Sequence, residues 1–375
     1  MYDLLFANPI VAFIFALSVL VFFHELGHYW VARRNGVRVE VFSIGFGPEL
    51  FGWNDKADTR WKICLMPFGG YVKMFGDADA TSSGLDEGER PFTEEEKAVS
   101  FHYKSIGARA AIVSAGPIAN FILAAVLFAI LYMAVGVPEK FYAAIGEVVP
   151  ESAAEEAALQ KGDRILSLDG KPTETFDDMR EIVMNNPDRQ LMAIVQRNAS
   201  EINVTITPKA KESNGETIGV LGVRPDPDQA EYTRYNPALA VWMGVEKTYE
   251  MTAQILSHLG TLITGGGSVK DLGGPLRIAQ VSGDAAKSGF DSLIYLMAVL
   301  SVNLGLINLF PIPMLDGGHL VFYAAEAIRG KPLSEKAQEY GFRLGLTLVL
   351  GLMIFATWND LVQLKVFDFV TQLFT

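Results

Sequence analysis

Apolar residues along the chain gather into four long runs that are separated by polar segments. The runs lie at residues 10–30, 110–137, about 293–309 and about 344–358. A helix that crosses a bilayer needs roughly 20 mostly apolar residues, so each run predicts a membrane-spanning helix, the last being the shortest. No basic residue precedes the first run and no small-x-small cleavage site follows it, which favours a retained helix over a signal peptide.

Basic residues cluster between the first and second runs and between the third and fourth runs. They are Arg33, Arg34 and Arg38 after the first run, Lys104 and Arg109 before the second, and Arg329, Lys331, Lys336 and Arg343 between the third and fourth. Positive residues near membrane ends favour the cytoplasmic side. The three clusters agree, and they predict that both termini and the long 138–290 segment lie outside the cytoplasm.

The long segment between the second and third runs has patterns of its own. Alternation at 144–150, 192–196 and 202–208 predicts strands, and KGDRILSLDGKP at 161–172 predicts a turn, a strand and a turn. Apolar residues then recur with helical spacing at 176–183 and at 239–259. These patterns predict a small α+β domain followed by an amphipathic helix at the membrane interface, which ends at Gly265–Gly267.

A second β region is predicted between the first two runs. Residues 37–74 are rich in β-branched and aromatic residues and are punctuated by Gly45, Gly47, Gly69 and Gly70, which predicts short strands with glycine turns at the cytoplasmic membrane face. The acidic stretch from Asp77 to Lys97 is predicted to be a loop.

Composition and charge exclude several kinds of protein. Half of the 375 residues are apolar and only 20% are charged, which agrees with the membrane prediction. The net charge of −12 argues against a nucleic-acid partner, because that would require a basic face. The single cysteine, Cys64, excludes an internal disulfide and a zinc site built from cysteines.

Three ionisable residues interrupt the first apolar run as part of the string HELGH. They are His24, Glu25 and His28. Such groups are costly inside a membrane and are usually functional. Positions i and i+4 share a helix face, so the two imidazoles can bind one metal ion, and Glu25 on the adjacent flank can reach a water on it. The alternative is a polar helix end that is solvated at the interface.

Catalytic zinc takes three protein ligands and keeps a fourth position open. His102, His258 and His319 are candidate nitrogen ligands, but Asp316 is the stronger candidate because it lies in an otherwise apolar stretch. Pro311 and Pro313 are predicted to break the helix before it. The alternative role for Asp316 is that of N-cap of the next helix.

Two asparagines lie in or near the third run. Asn308 and Asn303 are each predicted to be either a donor to an oxyanion or peptide backbone, or a polar residue that hydrogen-bonds neighbouring helices. For Asn303 we favour the second role.

The pairing of HELGH at 24–28 with NLFPIPMLDGG at 308–318 resembles the site-2 protease family of intramembrane zinc metalloproteases. VRVEVFSIGFGPELFGW and WKICLMPFGGYVKM within 37–74 are similar to the membrane-associated β region of its bacterial regulator-of-sigma-E protease branch. SAGPIANF at 114–121 is similar to the second span of that branch. The resemblance implies that His24, His28 and Asp316 bind Zn2+ and that Glu25 is the general base.

The resemblance also implies partners. The insert resembles one circularly permuted PDZ domain over about 141–224, where the branch commonly has two, and IGVLGV at 218–223 would be the strand after its carboxylate-binding turn. This domain would act as a size filter, which we favour, or as a groove for a peptide C-terminus. The edge at Gly69, Gly70 and Tyr71 would pair with an extended substrate, or the hairpin would merely seal the site.

We therefore predict a polytopic α-helical membrane protein of four transmembrane helices, with a membrane-associated β region and an external α+β PDZ domain. The predicted segments are 1–34 (helix 1), 35–104 (β region and acidic loop), 105–138 (helix 2), 141–224 (periplasmic PDZ domain), 225–290 (interfacial helix and linker), 291–328 (helix 3 with the LDG motif) and 329–375 (loop and helix 4). The predicted function is cleavage of single-pass membrane proteins, such as anti-sigma factors or remnant signal peptides, in a bacterial inner membrane. The alternative is a membrane metal transporter.

Overall fold

The computed structural model describes residues 8–77, 91–213, 216–264 and 273–363, so most of the predicted acidic loop and Gly265–Gly267 lie outside the described residues. The loop prediction is wrong for Glu94–Lys97, because Thr93 caps a short helix that begins at Glu94. The chain divides into two compact units, of which one comprises Met1–Leu131 with Asn236–Thr375 and the other Tyr132–Tyr235. The helices are α1 Pro9–Arg34, α2 Glu94–Val99, α3 Ile106–Ala134, α4 Ala153–Glu156, α5 Phe176–Met184, α6 Pro237–Ile263, α7 Pro275–Ser288, α8 Phe290–Asn308, α9 Asp316–Arg329 and α10 Glu335–Gln363.

The strands are mostly short, apart from the first two. They are β1 Val39–Asn54, β2 Arg60–Met74, β3 Val137–Phe141, β4 Ile145–Val148, β5 Arg164–Leu168, β6 Lys171–Pro172, β7 Leu191–Arg197, β8 Ser200–Ile206, β9 Lys209–Ser213, β10 Glu216–Val220, β11 Val223–Pro225 and β12 Ala230–Thr233. Only β1 and β2 belong to the first unit.

Four helices of the first unit are long and apolar enough to cross a membrane, as predicted. They are α1, α3, α8 and most of α10. Helix α1 begins cleanly because the Asn8 side chain accepts a hydrogen bond from the backbone N–H of Ile10, and Pro9 occupies the first helical position. Helix α10 begins nine residues before the predicted fourth run, since its polar first turns continue directly into the apolar part.

Small residues bring the helices of the first unit close together. Ala12 and Ala16 of α1 are fully buried in a cluster with Leu293 of α8. Further along α1, a Cβ atom built on Gly27 would overlap the carbonyl group of Ala115 in α3. The turn of α1 that carries HELGH therefore lies directly against α3.

The prediction of several short strands in residues 37–74 is wrong, because β1 and β2 form one long antiparallel hairpin. Gly45, Gly47 and Gly69 have φ angles of 85°, 86° and 97°, so they produce irregular pairing within the strands instead of ending them. Near the helices, Ile44 pairs with Gly70. The described residues of this unit contain no third strand, so the second edge of β2 is not paired with another strand.

The helix break predicted at the prolines is present between α8 and α9. Helix α8 ends at Asn308, and α9 begins at Asp316. Between them, Met314 has a φ of 84°, which is uncommon for a residue with a side chain. The LDG motif therefore lies at the start of a separate helix.

The second unit, which we call the PDZ-like unit, has a four-stranded antiparallel sheet in the order β6-β5-β7-β8. Its core contains Ile165 of the sheet and Met179 of α5 among its fully buried residues. The interpretation of IGVLGV as one strand is wrong, because Gly222, with a φ of 79°, separates β10 from β11. Strands β3 and β12 are the first and last strands of the unit along the chain, and they pair with each other so that Phe141 lies beside Ala230.

Candidate metal centre

Helix α1 and the start of α9 bring three ligand-type side chains together. The Nε2 atoms of His24 and His28 are 3.3 Å apart. Asp316 places Oδ2 at 3.2 Å from Nε2 of His24 and Oδ1 at 3.6 Å from Nε2 of His28. Among the described residues, this is the only group of three or more His, Cys, Asp or Glu with ligand atoms close enough to hold one metal ion.

The separations between these atoms fit zinc. Zinc–ligand bonds of about 2.0–2.1 Å in a tetrahedral arrangement place neighbouring ligand atoms about 3.3–3.4 Å apart. The three observed separations lie close to that value. In addition, Oδ2 of Asp316 is buried and has no hydrogen-bond partner among the described residues, as expected of an atom whose partner is a cation. The donor set of two imidazoles and one carboxylate also matches catalytic zinc sites.

Asp316 does not have the alternative role of N-cap. The N-cap of α9 is Leu315, which makes no side-chain capping hydrogen bond, and Asp316 is the first helical residue. Gly317 and Gly318 let the start of α9 pack against the segment before it. A Cβ on Gly317 would overlap the backbone of Leu309, and one on Gly318 would overlap that of Ile312. The carboxylate is therefore directed to the histidines by a tightly packed helix start.

Glu25 is buried beside the three ligand atoms. It lines the same cavity of about 330 Å³ as His24, His28 and Asp316. A Cβ built on Gly70 would lie 3.1 Å from Cγ of Glu25, so strand β2 passes directly beside this side chain. Glu25 thus shares one cavity with the three-ligand group, and its role as general base stays a prediction.

The residues predicted for substrate binding line this cavity too. They are Asn308, at the end of α8, and Gly69, Gly70 and Tyr71 of β2. Asn303 does not, and its side chain donates a hydrogen bond to the Val299 carbonyl of its own helix. Its favoured role of bonding a neighbouring helix is therefore wrong, because the i−4 carbonyl lies within reach.

The three other candidate histidines have different positions. His319 lines the cavity one turn after Asp316 but is not part of the three-ligand group. Nε2 of His102 lies 3.0 Å from Oδ1 of Asp77. His258 is exposed on α6.

Two residues of α3 that the sequence did not single out contact the histidines. The Ile112 carbonyl accepts a hydrogen bond from Nδ1 of His28 at 2.9 Å. The side-chain amide of Asn120 lies 2.9 Å from Nδ1 of His24. Both Nδ1 atoms are thus engaged by α3, and both Nε2 atoms face Asp316. Hydrogen bonds to the other ring nitrogen commonly orient metal-binding histidines in this way. In the sequence, Asn120 is distinguished as a polar residue in an apolar helix and as part of SAGPIANF at 114–121.

The chain is similar to known metalloproteases over most of its length. The model of peptidase family M50 matches residues 12–352. A protein of Agrobacterium fabrum named as a zinc metalloprotease is 45% identical over 364 residues, which cover 95% of this chain and 96% of that protein. The regulator of sigma-E protease RseP of Escherichia coli is 34% identical over 458 aligned positions, covering 96% of this chain and 99% of that protein.

The Escherichia coli alignment is longer than the 375 residues of this chain, so that relative carries insertions. Among solved structures, the PDZ domain of an SdrC-like protein from Listeria monocytogenes covers 24% of this chain and 93% of its own length, with a TM-score of 0.20 and 17% identity.

Proposed function

The chain belongs to peptidase family M50, and from that membership we propose that it cleaves single-pass membrane proteins within or near the bilayer. It is a zinc metalloprotease with four apolar helices. The observation that carries the proposal is the convergence of His24, His28 and Asp316 in a cavity between apolar helices, with Glu25 in its wall. A site at that position serves a substrate that is itself in the membrane.

His24, His28 and Asp316 would hold the zinc ion. Zinc, when bound, acts as a Lewis acid that polarises a carbonyl group and makes water reactive at neutral pH. Glu25 takes a proton from the water that attacks the scissile carbonyl carbon. As the C–N bond breaks, Glu25 returns that proton to the leaving nitrogen.

Two further elements of the cavity are proposed to bind the substrate. The side-chain amide of Asn308 would donate a hydrogen bond to the carbonyl oxygen as negative charge develops on it. Gly69, Gly70 and Tyr71 would pair with an extended substrate segment through the free edge of β2. Strand pairing suits this reaction because an intact helix engages its own carbonyl groups.

We place the protein in a bacterial inner membrane with the PDZ-like unit in the periplasm and the metal centre toward the cytoplasm. The basic clusters after the first apolar run and before the second support this orientation. Anti-sigma factors fit as substrates, because the Escherichia coli relative is named a regulator of sigma-E protease. Remnant signal peptides are the second substrate class. The PDZ-like unit would be a size filter or a guard that binds peptides.

Replacement of Glu25 by Gln tests the catalytic role. The variant should bind one zinc ion per chain, because Glu25 is outside the ligand set, but its cleavage of a membrane-anchored substrate should fall about 100- to 10,000-fold. Glu339→Gln on α10 is the matched control, since that side chain is mostly exposed, and it should cleave normally.

The same variants separate the protease from the alternative of a metal transporter. Both are reconstituted in liposomes, and cleavage and zinc uptake are measured together. Wild-type cleavage rates in Glu25→Gln, or zinc flux that depends on His24 without any cleavage, would contradict the proposal. Full zinc retention in both His24→Ala and Asp316→Ala would remove the proposed ligand set.

A further inference from the structure

Helix α3 supplies no ligand to the metal centre, yet three of its residues lie against the two histidines. Ile112, Gly116 and Asn120 are spaced four residues apart and therefore share one face of the helix. Ile112 contacts His28 and Asn120 contacts His24, so α3 runs antiparallel to α1 at this point. Each imidazole thus has its own contact on the same helix face.

The contact with Ile112 determines which nitrogen of His28 carries the proton. A backbone carbonyl can only accept a hydrogen bond, so Nδ1 of His28 must be the donor. A neutral imidazole with its proton on Nδ1 has a lone pair on Nε2. This is the tautomer that binds a metal through Nε2.

Asn120 can impose the same tautomer on His24. Its amide contacts Nδ1 of His24, and its oxygen Oδ1 is buried without a hydrogen-bond partner among the described residues. The oxygen and the nitrogen of an amide are nearly equal in size, so a half-turn of the group places Oδ1 against Nδ1. His24 then donates its Nδ1 proton, and its Nε2 lone pair faces Asp316.

Gly116 provides the space that both rings occupy. A Cβ built there would overlap Nε2 of His28, lie 2.6 Å from its Cε1 atom and lie 2.9 Å from Cε1 of His24. Real Cβ atoms essentially never approach other atoms so closely. Any side chain at residue 116 would therefore displace at least one imidazole from the group that includes Asp316.

We propose that this face of α3, formed by Ile112, Gly116 and Asn120, is the support that presents both imidazoles to zinc through Nε2. Gly116 and Asn120 are positioning residues, because they act through the histidines and contact neither substrate nor metal. The inference rests on the proposed function, in which His24 and His28 are ligands. Two sets of variants test it in the full-length protein, with zinc affinity measured by chelator competition.

Gly116→Ala tests the space, and Gly107→Ala in the same helix is its matched control. A Cβ at Gly107 meets no atom within 4 Å, so that variant should bind zinc normally. Gly116→Ala should weaken zinc binding at least tenfold. Its thermal midpoint in the presence of chelator should also fall, because the new methyl group overlaps His28 even without metal.

A His28→Ala background separates a clash with the imidazole from general helix packing. Two of the three nearest atoms to the new methyl group belong to His28, so Gly116→Ala should lower the thermal midpoint of metal-free protein much less in this background. An equal fall in both backgrounds, or normal zinc affinity in Gly116→Ala, would overturn the role of Gly116.

Asn120→Leu and Asn120→Asp test the tautomer. Leu removes the acceptor and should weaken zinc binding about 10- to 100-fold, whereas Asp keeps an acceptor oxygen and should bind at least as tightly as wild type. Asn303→Leu is the matched control, because that amide donates its hydrogen bond within its own helix, to Val299. Equal loss in Asn120→Asp and Asn120→Leu would show that Asn120 donates to His24, which overturns the inference.

The His24→Ala variant distinguishes a failure of the proposed ligand set from a failure of the proposed support by α3. If His24→Ala loses zinc while the Gly116 and Asn120 variants keep it, the ligand set stands and the support by α3 is wrong. If His24→Ala itself keeps full zinc affinity, the ligand set is wrong.

Discussion

The ion pair between Arg109 and Glu326 should hold α9, and with it Asp316, against α3. The two residues are 217 positions apart in the chain, and their Nη2 and Oε1 atoms are 2.7 Å apart. Their side chains are only 12% and 14% exposed. The Arg109 guanidinium also lies 4.9 Å from the ring centre of Tyr323, one turn earlier on α9. Arg109→Met should therefore loosen the helix that begins with Asp316.

The size of the effect follows from burial. Removing one partner of a buried ion pair leaves an uncompensated charge, and this costs about 3–5 kcal/mol of unfolding free energy. Because Glu326 keeps a little exposure, we expect a loss near the lower end, about 3 kcal/mol. The double variant Arg109→Met/Glu326→Leu should recover most of that loss, since no buried charge remains.

Thermal and denaturant unfolding of metal-free protein in detergent measures the double-mutant cycle. Chelator competition then measures zinc affinity, which should fall in Arg109→Met as Asp316 loses its fixed position. Arg343→Met is the matched control, because its pair with Glu339 is mostly exposed and should contribute less than about 1 kcal/mol. If the double variant loses the full sum of the two single losses, the two side chains are not coupled and the reasoning is refuted.

Three further predictions concern the hairpin, the PDZ-like unit and the topology. Burial tends to raise the pKa of Asp55, but hydrogen bonds from Trp61 and from neighbouring groups outweigh it and hold that pKa below its usual value. The stabilisation by Asp55 should therefore be complete above about pH 4 and be lost as pH falls through the lowered pKa, and Asp55→Asn should abolish this dependence when unfolding is followed against pH. Residues 142–229 can be replaced by an Asn-Gly turn between the paired strands β3 and β12. If the PDZ-like unit is a size filter, this variant should retain zinc and cleave a substrate whose external domain is intact. Failure to cleave both that substrate and a trimmed one would contradict the size-filter role. A cysteine placed at Asp188 should react with an impermeant thiol reagent outside intact cells and one at Ser334 should not, and the reverse labelling would invert the proposed orientation.

Sequence alone could predict those parts of the site whose ionisable side chains lie within apolar runs, where burying such groups costs free energy. HELGH and Asp316 stand out because charged groups are rare within apolar runs. Spacing alone left Asp316, His102, His258 and His319 as candidates for the third ligand. The apolar surroundings of Asp316 favour it over the three histidines, and the prolines predict the helix break before it. How the chain returns to α1 after that break is not encoded in any local pattern.

Other features were missed because they depend on backbone geometry. The Ile112 carbonyl has no counterpart in the sequence letters, because every residue has a carbonyl group. The sequence pattern predicts turns at the glycines of residues 37–74, whereas Gly45 and Gly69 adopt positive φ inside two long strands. The reverse error occurred in IGVLGV, where Gly222 divides an apparently continuous strand. A glycine indicates that an unusual φ is allowed, but only the paired partner strand decides whether the strand continues.

One stripe of α3 relates the two ligand-bearing helices to each other. Arg109, Ile112, Gly116 and Asn120 follow one another at intervals of three, four and four residues, so they lie on a single face. That face contacts α9 through Glu326 and α1 through both histidines. A site whose ligands come from distant parts of the chain needs a rigid element that contacts both parts, because small displacements between ligands weaken metal binding. Helix α3 meets that need without contributing a ligand, so the geometry of the metal centre depends on residues that a search for ligand types alone would overlook.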